Sequence, residues 1–317
     1  MNNIIDLLIN YDNFLIISHV SPDGDTLGSA AALCLALESV GKKVILGLDA
    51  EVPKKLSFLN KLVKFYKPDD INAENIQCAI AVDTATKKRM GRLADIFSCI
   101  KIKINIDHHL TNEKFAHENL IVEKASTGEI IFDLLNKLNI SITEDIADCL
   151  FAAISTDTNN FVYSSVTADT FYTAAKLSEL GASISELCEQ IYYKRSFGAT
   201  RLISLGLSRI KLFCNGKISA TYMCLKDIEE CGAKREDCDV LVNYCREIDG
   251  VEIAIFINEM PDGTFKISLR SNRFVDVSAI SVKYGGGGHK RASGHVMSGT
   301  VDEILKQMLK DSEEALL

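Results

Sequence analysis

The 317-residue sequence predicts an α/β protein, with a doubly wound parallel-sheet domain joined by a helical linker to a smaller α/β domain. Three observations predict it. Short apolar runs alternate with helical patterns through the first half, the signature of βαβ units whose sheet is covered on both faces. Around residues 183–210 the pattern turns wholly helical, and beyond it strand-like runs return around a hairpin turn. The expected domains are 1–182 and 211–317, with 183–210 as an ordered helical linker.

The expected strands of the first domain are Phe14–Ser18, Lys43–Leu48, Cys78–Val82 and Ile102–Ile106. An Ala-rich helix begins near Thr26 and closes at Gly41. Ser126-Thr127-Gly128-Glu129 fits a capping box that opens a helix over Ile130–Leu138, and Ile146–Ile154 is a further apolar helix. The linker opens on a second such box, Ser183-Ile184-Ser185-Glu186. Strand patterns then cover Lys217–Met223, Val251–Ile257 and Thr264–Leu269, the last two joined by a turn at Pro261-Asp262-Gly263.

The longest apolar run, Ala30–Leu37, falls far short of the roughly 20 residues that span a bilayer, so a cytoplasmic protein without membrane association is expected. Ten cysteines without any Cys-x-x-Cys pair suit buried thiols in a reducing compartment. Cys231, Cys238 and Cys245 recur every seventh residue and fit one helical face, but ligands two turns apart lie about 10 Å from each other, too far for one zinc ion. A net charge of -8 disfavours tracking of long nucleic acid, which needs a continuous basic surface.

Candidate ligands fall at the carboxyl ends of the expected strands, where open parallel sheets bind their ligands. His19 follows the first strand, Asp83 follows Cys78–Val82, and Asp107-His108-His109 follows Ile106; Asp157, after the helix 146–154, is a further contributor. In His19-Val20-Ser21-Pro22-Asp23-Gly24-Asp25, the proline and glycine force an irregular turn that can aim Asp23 and Asp25 at different points. Singly, each residue has a plain reading as a cap or a turn. Together, Asp23, Asp25, Asp83 and Asp157 would repel a phosphate unless cations balanced them, and two divalent ions cancel those four formal charges. Mixed carboxylate and imidazole donors favour Mn²⁺ or a similar divalent ion.

The second domain carries Tyr284-Gly285-Gly286-Gly287-Gly288-His289-Lys290-Arg291-Ala292-Ser293-Gly294, where glycines let the backbone approach an anion with basic side chains alongside. The stretch lacks the Gly-Lys-Ser/Thr frame of a Walker motif.

In these motifs the chain resembles the DHH phosphoesterase superfamily, specifically its members with a C-terminal DHHA1 domain. The likeness spans essentially the whole chain: His19 to Asp25, Asp83, Asp107-His108-His109, and Ser155-Thr156-Asp157-Thr158, in order, then Ser268-Leu269-Arg270-Ser271, Val275 to Ile280 and the glycine run. It implies two divalent metal ions, Mn²⁺ with Mg²⁺ or Co²⁺ as alternatives, in an active site in the cleft between the domains. His19, Asp23 and Asp83 would hold one ion and Asp25, Asp83, His108 and Asp157 the other, with Asp83 bridging. The implied catalytic group is Asp107, His108 and His109, with Asp107 orienting an imidazole, His109 facing the substrate phosphate, and a water between the two ions as nucleophile. Arg270, Ser271, Gly286, Gly287, Gly288, His289 and Arg291 would hold the substrate away from the scissile bond.

The DHHA1 pattern separates the chain from the family's inorganic pyrophosphatases, and RecJ-type exonucleases and membrane-bound cyclic-dinucleotide phosphodiesterases are longer. What remains is similar to the compact nanoRNase group. The implied function is hydrolysis of short RNA oligonucleotides to nucleoside 5′-monophosphates and dephosphorylation of 3′-phosphoadenosine 5′-phosphate (pAp). A stand-alone phosphodiesterase of dinucleotides such as pApA or c-di-AMP, and a metal-nucleotide sensor without turnover, are the alternatives; a homodimer is left open. Asn159-Asn160 departs from the family, many relatives having glycine there, and asparagine tolerates a left-handed backbone.

Overall fold

The computed structural model describes residues 1–317 and divides into two units, Met1–Lys194 and Arg195–Leu317. In the first, strands β1 (Asn13–Ile17), β2 (Lys43–Gly47), β3 (Phe65–Tyr66), β4 (Cys78–Val82), β5 (Ile102–Asp107) and β6 (Glu118–Ile121) form one sheet in the order β3-β2-β1-β4-β5-β6. Every pairing is parallel. The strand order reverses at β1 and β4, which run in register from Phe14 opposite Cys78 to Ile17 opposite Ala81.

Alternation along the strands buries both faces. Phe14 and Ile16 of β1, with Ile80 and Val82 of β4, enter the larger core, whereas Leu15, Ile17, Ala79 and Ala81 pack with Met90, Leu93 and Phe97 on the other side. The short strands β3 and β6, two and four residues long, fall below what apolar alternation reveals.

Small residues bring three helices together behind the sheet. The helix Gly24–Ser39 is buried almost all round, and a Cβ on Gly28 would lie 2.4 Å from the Cys149 carbonyl of the helix Glu144–Asp157. A Cβ on Gly128, in the helix Thr127–Lys137, would lie 2.7 Å from that of Ala153. Close approach at Gly28 and Gly128 therefore sets where the starts of two helices meet the end of the third.

In the second unit, β7 (Lys211–Phe213), β8 (Ile218–Met223), β9 (Ile253–Glu259), β10 (Phe265–Ser271), β11 (Gly287–His289) and β12 (Ala292–Met297) form a mixed sheet, order β11-β12-β10-β9-β8-β7. Only β8 and β9 pair in parallel. Ile253, Ile255 and Ile257 face a core with Ile280, Ile304 and Met308, while Ala254 and Phe256 face one with Leu202, Leu241 and Cys245. The β9–β10 hairpin turns at Gly263, φ +80°, as its Pro-Asp-Gly sequence leads one to expect.

Two local expectations are corrected. Ser183 starts a helix without a side-chain cap, and its N–H donates to Asp148 Oδ1 at 2.6 Å instead of to Glu186, so the capping box does not form. Cys231, Cys238 and Cys245 lie on three separate short helices, broken first by left-handed Gly232, so their sevenfold spacing does not describe one face. Segment 183–210 is helical apart from short breaks, with Leu187 and Ile191 in the first unit's core and Leu202 in the second's. No helix is long and apolar enough to cross a membrane.

Candidate metal centre

The first unit presents its ligand-type residues from the carboxyl ends of β1, β4 and β5, at the edge where the strand order reverses. His19 stands two residues after β1, and the Thr26 hydroxyl, which donates to Val82 O at 3.2 Å, ties this turn to β4. Asp23 caps the helix Gly24–Ser39 by accepting the Thr26 N–H at 3.0 Å, and Asp25 follows in its first turn. Asp83 follows β4 with φ +54°, a left-handed backbone uncommon for a residue with a side chain, while its N–H donates to Ile106 O at 2.9 Å. Asp157 is the last residue of the helix Glu144–Asp157.

These residues converge. The ligand atoms of His19, Asp23 and Asp83 lie within 4.8 Å of one another, as do those of Asp25, His108 and Asp157, and those of Asp83, Asp107, His108 and His109. Asp83 joins the groups: its Oδ2 is 3.5 Å from His19 Nε2, and its Oδ1 is 3.6 Å from His108 Nε2. His19 Nε2 also faces Asp23 Oδ2 at 3.7 Å, and His108 Nε2 faces Asp157 Oδ2 at 3.5 Å and Asp25 Oδ2 at 3.8 Å.

The electrostatics fit cations at this place. Burial pushes the Asp25 carboxyl well above its ordinary value, and the charges of Asp83, Asp157 and Asp23 add to that push. Burial likewise raises Asp157, to about 6, with the charges of Asp83 and Asp23 opposing the relief from His108. For His19 burial disfavours the imidazolium, yet bonding to Asp23 and Asp83 outweighs it and lifts the pKa to about 9. In each case a proton supplies positive charge that the cluster lacks. The His19 Nδ1 is buried without a protein partner, so the ring's polar interactions run through Nε2, toward the carboxylates. The donors are carboxylate oxygens and imidazole nitrogens, a set that fits divalent ions of the Mn²⁺ type.

Around these groups lies a supporting layer. Asp107 Oδ1 pairs with His109 Nδ1 at 2.7 Å, which raises the His109 pKa. Burial alone would raise Asp107, but its bonds from His109 and Asn112 hold it below the ordinary carboxylate range. The two N–H groups of the Asn112 side-chain amide are shared among Asp107 Oδ2, Asn105 Oδ1 and Thr84 O, which lie 2.5, 3.0 and 3.1 Å from its nitrogen. His108 Nδ1 pairs with Lys124 O at 3.1 Å, which leaves Nε2 for the carboxylates. Sequence reasoning missed Asn112, Ser29, whose hydroxyl donates to Asp25 Oδ1 at 3.0 Å, and Thr127. Only Thr127 left a signal, inside a stretch read as a helix cap. That cap is half present: Ser126 accepts the Glu129 N–H, while buried Glu129 carries no return hydrogen bond.

Asn159 and Asn160 adopt φ +49° and +56°, the left-handed turn their residue type permits, and Phe161 continues it at +65°.

The second unit brings the other expected residues to one end of its sheet. Arg270, near the end of β10, pairs in register with Ala292 of β12, and its Nη1 donates to Leu269 O at 3.0 Å. His289 and Gly287 are exposed on β11. Ser271 is buried, its hydroxyl bonding to Val275 O at 2.7 Å, and Arg291 donates to Val275 O at 2.7 Å and to Arg273 O, so both fasten the 272–276 loop. A Cβ on Gly286 would meet Gly294 O at 2.3 Å, and one on Gly288 would meet Ala292 O at 2.5 Å. These two glycines permit the close β11–β12 approach, whereas Gly287 faces open space.

Known proteins share this plan. Residues 13–154 match the N-terminal domain of the DHH family and residues 216–316 match the DHHA1 domain. The chain is 31% identical over 304 residues to a bifunctional oligoribonuclease and PAP phosphatase NrnA of Thermus thermophilus, covering 95% of this chain and 89% of that one. A protein of the same description from Bacillus subtilis is 28% identical over 292 residues, covering 90% and 89%. The crystal structure of an exopolyphosphatase-related protein from Bacteroides fragilis matches at TM-score 0.92 and 26% identity, over 99% of this chain and 95% of that one. The chain belongs to the DHH family, with a DHHA1 domain in its second unit.

Proposed function

We propose that the chain is a divalent-metal-dependent phosphohydrolase that cleaves short oligoribonucleotides to nucleoside 5′-monophosphates and removes the 3′-phosphate of pAp. The carrying observation is the convergence of His19, Asp23, Asp25, Asp83, His108 and Asp157 around one shared carboxylate, in a chain whose relatives are described as oligoribonuclease and PAP phosphatase.

His19, Asp23 and Asp83 would hold one ion and Asp25, Asp83, His108 and Asp157 a second, with Mn²⁺ as the working metal. When bound, such ions supply positive charge that neutralises the phosphate and acidifies water. The protein's own part is positional. Asp107 fixes His109 through Nδ1 and favours its protonated form, so Nε2 is the nitrogen left to donate to a phosphate oxygen. In the DHHA1 domain, Arg270, His289 and the open backbone at Gly287 would grip a nucleotide phosphate. Ser271, Gly286, Gly288 and Arg291 would act behind them by shaping the strands and the 272–276 loop.

The net charge of -8 supports short substrates over long duplexes, which gain little attraction from an acidic surface. Ten free cysteines support a reducing, cytoplasmic setting.

The test is a substrate panel with product chromatography. Purified protein in Mn²⁺, Mg²⁺ or Co²⁺ is given pAp, linear diribonucleotides, a decaribonucleotide and c-di-AMP. The proposal expects AMP from pAp and mononucleotides from linear dinucleotides, fastest in Mn²⁺. Turnover of c-di-AMP alone would overturn it, as would nucleotide binding without turnover.

A further inference from the structure

The helix start Ser126-Thr127-Gly128-Glu129, legible in sequence as a cap, does more than begin a helix. Two of its N–H groups hold Asp25: Thr127 N donates to Oδ2 at 2.8 Å and Gly128 N to Oδ1 at 3.0 Å. The Thr127 hydroxyl turns to the other side and donates to Asp83 Oδ1 at 3.0 Å. Thr127 therefore contacts carboxylates of both ligand groups, Asp25 through its main chain and Asp83 through its side chain. All three residues are almost wholly buried, at 0%, 1% and 2% exposure for Thr127, Asp25 and Asp83.

We propose that Thr127 is a positioning residue that locks the Asp83 carboxylate in its bridging orientation. This inference rests on the metal-centre reading above. A threonine side chain on a helix has two favoured rotamers, and the one adopted here brings the hydroxyl to Asp83. Asp83 sits between strand and loop and has His19 on one oxygen, with His108 and His109 near the other, at 3.5, 3.6 and 3.6 Å. The hydroxyl bond selects the rotation in which Oδ2 serves one group and Oδ1 the other. Valine has the same shape and branching but no donor, whereas serine keeps the donor.

The test is calorimetric titration of Mn²⁺ into chelator-stripped full-length protein, for wild type, Thr127→Val and Thr127→Ser, with circular dichroism and metal-free melting as controls on folding. Thr127→Val should weaken Mn²⁺ binding by about 10- to 100-fold, the usual effect of losing a partner of a metal ligand, and lower kcat for pAp more than it alters KM. Thr127→Ser should recover most of the affinity. Should the valine variant not fold, Thr127→Ala carries the same expectation. Wild-type affinity in a folded Thr127→Val overturns the proposal, and so does an equal loss in valine and serine variants. Absence of Mn²⁺ binding by the wild type would instead overturn the metal-centre reading on which it rests.

Discussion

Stripping divalent ions from the first domain should leave it with a stability that falls as pH rises. His19 carries much of the effect: its pKa is lifted from 6.5 to about 9 against the cost of burial, by Asp23 and Asp83. A group whose folded pKa is raised stabilises the fold below its unfolded pKa and loses that contribution as pH climbs through the folded value. For His19, 1% exposed, a shift of this size corresponds to about 3 kcal/mol, lost between pH 6.5 and 9. Asp157, raised from 3.8 to about 6 mainly by burial, acts in the same direction between those values. Its side chain is 32% exposed, and solvent screening reduces its share to about 1 kcal/mol. Asp25 and His109, both raised, reinforce the trend. Asp23 and Asp107 are lowered, so they act below their ordinary 3.8, outside the range. The assay is thermal melting in chelator from pH 5 to 9, where the His19 share and the half of the Asp157 share above pH 5, about 3.5 kcal/mol together, amount to roughly 10 °C in a domain of this size. Added Mn²⁺ should stabilise most at high pH, because its ligands must be deprotonated. A chelated melting temperature that is flat or rises with pH would refute the reasoning, as would an Mn²⁺ effect largest in acid.

Other outcomes follow from the same structure. Arg270→Ala should lower kcat/KM for pAp and dinucleotides by about 10- to 100-fold, the scale of a lost charge-assisted bond, and hardly change hydrolysis of bis-p-nitrophenyl phosphate; equal losses on both would move Arg270 to the reacting phosphate. In a series of 5′-labelled RNAs, activity should fall steeply from two to about ten nucleotides, with weak dependence on salt; faster, processive degradation of long strands would contradict this. Gly28→Ala places a methyl 2.4 Å from the Cys149 carbonyl and should destabilise the first domain by about 1–3 kcal/mol, read as a lowered melting temperature.

Much of the candidate metal centre is legible because strand ends are legible. β1 and β4 are largely apolar runs with buried residues facing both ways, and β5 alternates Ile102, Ile104 and Ile106 with polar residues, so their limits show in the sequence, and the residues at or just beyond their ends fall at one sheet edge. What stayed hidden depends on partners that only the fold supplies. Ser271 and Arg291 carry groups suited to a phosphate, yet the chain directs them to the Val275 carbonyl. The glycine run reads as a ligand loop, but Gly286 and Gly288 are needed because β12 lies against them. Thr127 shows the converse, since a residue type ordinary at a helix start reaches two carboxylates distant in sequence. The spacing of Cys231, Cys238 and Cys245 misled because periodicity presumes one continuous helix, and Gly232 ends it.

The central claim is that Asp83 joins two ligand groups into one dinuclear centre, and anomalous scattering from crystals grown with Mn²⁺ tests it most directly. The account predicts two peaks in the first domain, one beside His19 and Asp23, the other beside Asp25, His108 and Asp157, with Asp83 contacting both. A single peak, or two peaks of which one lacks Asp83, would contradict it.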